Sequence, residues 1–250
     1  MYDVARPWRE PSMTRPRPRY FVSLIPALAL CLASCGRTGQ DNAGSVASRS
    51  RTEAPDEAAT PARPDGRPVI VALGDSITAG FGLEPGNSYT DFLQKELDAK
   101  GHAYRVVNAG VSGDTTSGGL ARLQTVIEQK PRIVILELGG NDGLRGLPLR
   151  TTRSNLEQMI RRLRGAGAQV LLAGMTLPPN YGPDYIRAFE EMYTEVAARE
   201  NVRLAPLAQG GIGGFVPYLQ ADGIHPTQEG QRKLAAILLQ ALEPILVARP

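Results

Sequence analysis

A serine, an aspartate and a histidine supply the first chemistry in this chain. Ser76 lies in Gly74-Asp75-Ser76-Ile77-Thr78-Ala79-Gly80, and Asp222 and His225 stand three apart in Asp222-Gly223-Ile224-His225-Pro226. A hydroxyl, a carboxylate and an imidazole are the groups that nucleophilic acyl transfer needs. The imidazole takes the hydroxyl proton, and the carboxylate sets the imidazole's tautomer. Two further donors could join them. Gly110, in Asn108-Ala109-Gly110-Val111-Ser112-Gly113-Asp114, leaves its N–H open to close approach. Asn141, in Gly139-Gly140-Asn141-Asp142, offers a neutral side-chain N–H₂. With the N–H of Ser76 itself, these could hold a developing oxyanion. Gly74 can take the angles of a tight turn. Gly223 lets the Asp222 carboxylate fold back onto the histidine's Nδ1, and Pro226 suits the first helical position, which fixes His225 at the helix entrance. Each signal is weak alone. A serine after a glycine is commonly a turn or cap, an Asp-x-x-His a capping pair, and an asparagine a loop amide.

The elements that must position these residues give them weight. Val69 to Leu73 is a short apolar run rich in β-branched residues, and it reads as a buried strand. Further strands are expected at 104–108, 133–138, 169–173 and 202–205. Helices are expected at 88–100, with Ser88 as N-cap, and at 120–129, 154–164, 183–200 and 227–247. Strands alternating with helices predict a three-layer α/β/α domain around a central parallel sheet. Ligands in such sheets bind beyond the carboxyl ends of the strands. Ser76, Gly110 and Asn141 each follow a strand, and His225 opens the last helix.

Composition bounds the rest. Hydrophobic residues make up 42% of the 250 and charged residues 21%, enough for one ordinary core. The net charge of +3 arises in the first 34 residues, where Arg6, Arg9, Arg15, Arg17 and Arg19 face only Asp3 and Glu10. The remainder is balanced, which argues against a nucleic-acid partner. Both cysteines, Cys31 and Cys35, precede the folded part, and His102 and His225 are the only histidines. The domain therefore has no disulfide and no ordinary zinc ligand set, and no cofactor is expected. Asp75 and Asp142 read as local turn or network residues, Asp114 as a helix-start or loop hydrogen-bonding residue, and His102 as an exposed turn residue. Val111, Leu144, Leu147, Leu177 and Tyr181 fall on post-strand loops, where an acyl groove and ordinary loop packing explain them equally well.

Arg15, Arg17 and Arg19 precede an apolar stretch from Tyr20 to Ala33, the order of a secretory leader. It ends Leu32-Ala33-Ser34-Cys35-Gly36, which resembles the lipobox of bacterial lipoproteins. That resemblance implies lipidation of Cys35. Gly36 in place of aspartate implies passage to the outer membrane, whose periplasmic face the enzyme would occupy, and a soluble periplasmic or secreted form is the alternative. Residues 36–66 are rich in Ala, Ser, Pro, Arg, Asp and Gly, too polar to offset their ordering entropy, and read as a disordered tether. The organisation expected is a signal peptide over 1–35, a tether over 36–66 and a monomeric domain over 67–250.

The four blocks around Ser76, Gly110, Asn141 and His225 resemble those of the SGNH (GDSL-type) hydrolase superfamily, in the same order. Asn108–Leu123, Leu138–Gly146, Leu177–Gly182 and Asp222–Pro226 are similar to the branch of bacterial thioesterase I, esterase and lysophospholipase enzymes. The resemblance implies a flavodoxin-like fold and a serine esterase acting on acyl esters, thioesters or lysophospholipids. It also implies Ser76, Asp222 and His225 as the triad, with the N–H groups of Ser76 and Gly110 and the Asn141 side chain as oxyanion hole. Ile77 stands where the family usually has leucine, and Gln209 to Gly214 is unusually glycine-rich. An O-acetyl carbohydrate esterase of the same fold remains open, as does a non-catalytic ligand-binding lipoprotein.

Overall fold

A computed structural model describes residues 66–207 and 216–246, all within one compact unit, Ala59–Pro250. The leader, Cys35, residues 36–65 of the tether and the glycine-rich 209–214 segment lie outside the described residues.

Five parallel strands build the sheet: β1 (Val69–Gly74), β2 (Arg105–Gly110), β3 (Ile133–Glu137), β4 (Gln169–Gly174) and β5 (Arg203–Pro206), in the order β2-β1-β3-β4-β5. The helices are α1 (Ser76–Ala79), α2 (Tyr89–Ala99), α3 (Thr116–Ala121), α4 (Leu123–Ile127), α5 (Gly140–Leu144), α6 (Leu149–Gly165), α7 (Pro183–Glu200) and α8 (Gln228–Leu242). This strand order is the flavodoxin-like one, and it reverses between β1 and β3, where a crevice must open.

Strand periodicity sorts the core into two layers. Val71, Leu73, Val134, Leu136, Val170 and Leu172 face α3, α4, α6 and α7. Ile70, Ala72, Ile133, Ile135, Leu171 and Ala173 face α2 and α8. Both faces are covered, which is why the strands are continuous apolar runs rather than alternating ones. The last residue of β3 breaks that run: Glu137 is fully buried.

Three helices differ from expectation. The single helix expected at 120–129 is two, because the chain breaks at Arg122 (φ −96°, ψ 8°). There the guanidinium seals the sheet's carboxyl edge, donating to Asp114 Oδ2 (2.7 Å), Ala109 O (2.8 Å) and Gly74 O (2.9 Å). Helix α6 begins at Leu149, five residues before the expected start, because Thr152 is buried and bonds to Asp142 (3.3 Å) despite the weak helix preference of a Thr-Thr pair. The last helix ends at Leu242 in a 3₁₀ turn over Glu243–Ile245, since Pro244 cannot continue the ladder.

Candidate active site

Ser76 is the first residue of α1, directly after β1, and is 9% exposed. Its hydroxyl lies 2.9 Å from His225 Nε2, across 149 residues of sequence. On the other side of the ring, His225 Nδ1 lies 2.7 Å from Asp222 Oδ2. Gly223 has φ +69°, and this turn brings Asp222 Oδ1 to the N–H groups of Ile224 (2.9 Å) and His225 (3.0 Å). Those bonds and the His225 ring draw the Asp222 carboxyl down to about 2, outweighing the upward pull of burial. The carboxylate is therefore ionised wherever the imidazole could act as base.

Gly74 is needed for space rather than for turn angles. It does not take a left-handed conformation, but a Cβ there would lie 1.9 Å from Thr78 Oγ1 and 2.6 Å from Glu137 Oε2. Thr78 Oγ1 in turn donates to Glu137 Oε2 (2.7 Å) and meets the Tyr89 hydroxyl (2.8 Å). Gln231 of α8 clamps the same corner. Its Oε1 accepts from Tyr89 N (2.9 Å) and its Nε2 donates to Ile77 O (3.0 Å). Glu137, Arg122 and Gln231 had no signature in sequence, because their partners lie 8 to 154 residues away and meet them only through the fold.

The two extra donors are present but engaged. The N–H of Gly110 donates to Asn108 Oδ1 (2.9 Å). Asn141 sits in α5 rather than in a loop, and its Nδ2 donates to Asp114 O (2.9 Å) and Asp75 Oδ2 (3.2 Å). Asp142 points the other way and accepts from Thr116 N (2.8 Å) and Thr116 Oγ1 (2.5 Å), the network role read from sequence. His102 is half-buried rather than exposed, and its N–H closes α2 on Leu97 O (2.8 Å).

A cavity of about 330 Å³ opens beside Ser76 and His225. Ile77, Leu144, Met175, Leu177, Leu219 and Ile224 supply much of its wall, so the wall is mainly apolar. Of the five apolar loop residues noted above, Leu144 and Leu177 line it. Val111 and Leu147 stand exposed outside it, and Tyr181 turns its hydroxyl to Leu144 O (2.8 Å). Phe81 lies over the His225 ring with centroids 4.5 Å apart. Among the described residues no group of three or more His, Cys, Asp or Glu side chains is placed to hold a metal ion.

A family model for the GDSL-like Lipase/Acylhydrolase family matches residues 72–233, from β1 into α8. The chain belongs to that family. It is 48% identical over 179 residues to "Esterase TesA" of Pseudomonas aeruginosa, covering 71% of this chain and 89% of that protein. It is 36% identical over 179 residues to "Thioesterase 1/protease 1/lysophospholipase L1" of Escherichia coli, covering 71% and 85%. A crystal structure of TesA superposes with a TM-score of 0.69 at 47% identity, covering 71% of this chain and 99% of that one. As a member of the family, this protein is an SGNH-type hydrolase that acts on ester bonds of small molecules.

Proposed function

We propose that this enzyme is a serine esterase for acyl esters and thioesters, working through an acyl-enzyme on Ser76. The carrying observation is the unbroken Ser76–His225–Asp222 hydrogen-bond chain at the mouth of an apolar cavity. Ser76 Oγ attacks the acyl carbon while His225 Nε2 takes its proton. The carbonyl electron pair moves to oxygen, and that charge is met by the N–H groups of Ser76 and Gly110 and by Asn141 Nδ2. Collapse expels the alcohol or thiol, which receives the proton from His225. Water, deprotonated by the same ring, then releases the acid. When substrate arrives, Gly110 exchanges its bond to Asn108, and Asn141 its bond to Asp114 O, for the oxyanion, while the second Asn141 hydrogen stays on Asp75 Oδ2.

The cavity favours an acyl chain over a bare acetyl group, because Leu144, Met175 and Leu177 offer it apolar contact and little hydrogen bonding. Hydrolysis of p-nitrophenyl esters from acetate to palmitate by the full chain tests this, with Ser76→Ala as control. Activity that peaks beyond acetate and vanishes in the control is expected. Activity on acetate and acetylated sugars alone would turn the reading to an O-acetyl carbohydrate esterase.

The leader and Cys35 support export and a lipid anchor, with residues 36–66 as tether and the enzyme a monomer at the periplasmic face of the outer membrane. Among the described residues no helix is long and apolar enough to cross a membrane. Cys35→Ala should move activity from the membrane fraction to the soluble periplasm. Unchanged fractionation would remove the anchor.

A further inference from the structure

Asp75 neighbours the nucleophile in sequence, yet the mechanism above gives it no part. It is 2% exposed. Its Oδ1 accepts from Ile77 N (3.0 Å) and its Oδ2 from Asn141 Nδ2 (3.2 Å). The other hydrogen of that amide goes to Asp114 O (2.9 Å). An amide nitrogen has two hydrogens, so these two acceptors decide which end of the Asn141 amide, N–H₂ or C=O, faces the serine turn.

Only an ionised Asp75 accepts at both oxygens. With Oδ1 occupied by the Ile77 N–H, a proton would settle on Oδ2 and set a donor against the Asn141 N–H₂. We propose that Asp75 is a positioning residue whose carboxylate selects the catalytic orientation of the Asn141 amide, and whose protonation turns that amide over and withdraws its N–H₂ from the oxyanion. This rests on the oxyanion role given to Asn141 above.

The surroundings place that switch in a useful range. His225 faces Asp75 from its loop, Glu137 from β3, and Asp114, paired with Arg122, from the loop after β2; the Tyr89 and Tyr193 phenols feel its charge from α2 and α7. Burial raises the Asp75 carboxyl to about 6, although the Ile77 N–H, the charge of His225 and the Asn141 bond pull it down. Burial and the charge of Asp75 hold Glu137 well above the usual carboxylate range, and its Oε1 has no hydrogen-bond partner among the described residues. Glu137 therefore resists ionising beside a charged Asp75.

The experiment measures kcat/KM for p-nitrophenyl butyrate across the acid limb, using the full-length wild type, Asp75→Asn, Asn141→Ala and the double variant. Asparagine at 75 imitates the protonated carboxyl. The wild-type limb should steepen to a slope of two, one proton for His225 and one for Asp75. Asp75→Asn should fall to a slope of one and lose roughly 10²–10³ in rate, the cost of an oxyanion donor. The double variant should lie within about threefold of Asn141→Ala, because both changes act through one amide. A folded Asp75→Asn that loses less than about threefold, or losses that multiply in the double variant, would overturn the proposal. Should Asp75→Asn not fold, a wild-type slope of one overturns it. Full activity in Asn141→Ala would sink the oxyanion reading itself and this proposal with it.

Discussion

Asp75 and Asp222 each accept a backbone N–H from the residue two places on, Ile77 in one case and Ile224 in the other. Each also bonds to a side chain of the site, Asn141 for Asp75 and His225 for Asp222. Their surroundings separate them. Asp75 is 2% exposed at the end of β1, over the buried Glu137, and its carboxyl rises to about 6. The Asp222 side chain is 40% exposed on the histidine turn, and its carboxyl falls to about 2. One local motif thus yields a carboxyl raised to about 6 and another lowered to about 2. The balance decides which: burial pushes both carboxyls up, and at Asp222 the bonds to the His225 ring and to two backbone N–H groups together outweigh it, whereas at Asp75 the Ile77 and Asn141 bonds do not.

The largest way to break the contrast is at Asp222. Asp222→Asn should lower kcat by something on the order of 10⁴, as in other serine triads, through the wrong imidazole tautomer. A loss below tenfold in steady-state kinetics would mean that the exposed aspartate does not orient His225. Asn141→Ala should cost roughly 10²–10³ in kcat with a smaller change in KM. Loss confined to KM would make Asn141 a substrate-binding group only.

Stability against pH sharpens the same contrast. The folded-state value of Asp75 lies above its ordinary 3.8, so the native protein binds the extra proton between about pH 4 and pH 6. Its contribution therefore weakens as pH rises through that window and is flat above it, by about 3 kcal/mol at most. Asp222 has the opposite sign: its contribution is present above about pH 4 and is lost as pH falls toward 2. Urea unfolding of Asp75→Asn at pH 4.5 and 7 should show a shallower dependence than wild type. An unchanged dependence would place the Asp75 carboxyl in an ordinary environment. The smallest effect concerns the cavity wall. Leu144→Ala should shift ester chain-length preference by about tenfold, and Leu147→Ala, outside the cavity, should not. Equal profiles for both would remove Leu144 from the acyl contact.

The strands and the chemical blocks were legible because both are local signals. Val69–Leu73 and Ile133–Leu136 are apolar runs of strand length, Ser76 and Asn141 follow strands, and Gly110, expected just past its strand, is the last residue of β2, all at the edge where an α/β sheet places ligands. Residues that act across the fold were not. Asp75 reads as a turn residue because its bond to Ile77 is two residues long, whereas its bond to Asn141 spans 66. Arg122 looks like the polar face of one helix, but its bonds to Gly74 and Ala109 break that helix in two. Glu137 passes as the polar end of a strand until the sheet buries it beside Gly74. In each case the deciding partner is distant in sequence, and tertiary contact overrides the local pattern.

The central claim is that Ser76 carries the acyl group. Incubating the full chain with a p-nitrophenyl alkylphosphonate, then mapping the adduct by peptide mass spectrometry, tests it most directly. One adduct on the peptide containing Ser76, stoichiometric with lost activity and absent from Ser76→Ala, is the expected result. An adduct on another residue, or turnover that survives in Ser76→Ala, would contradict the account.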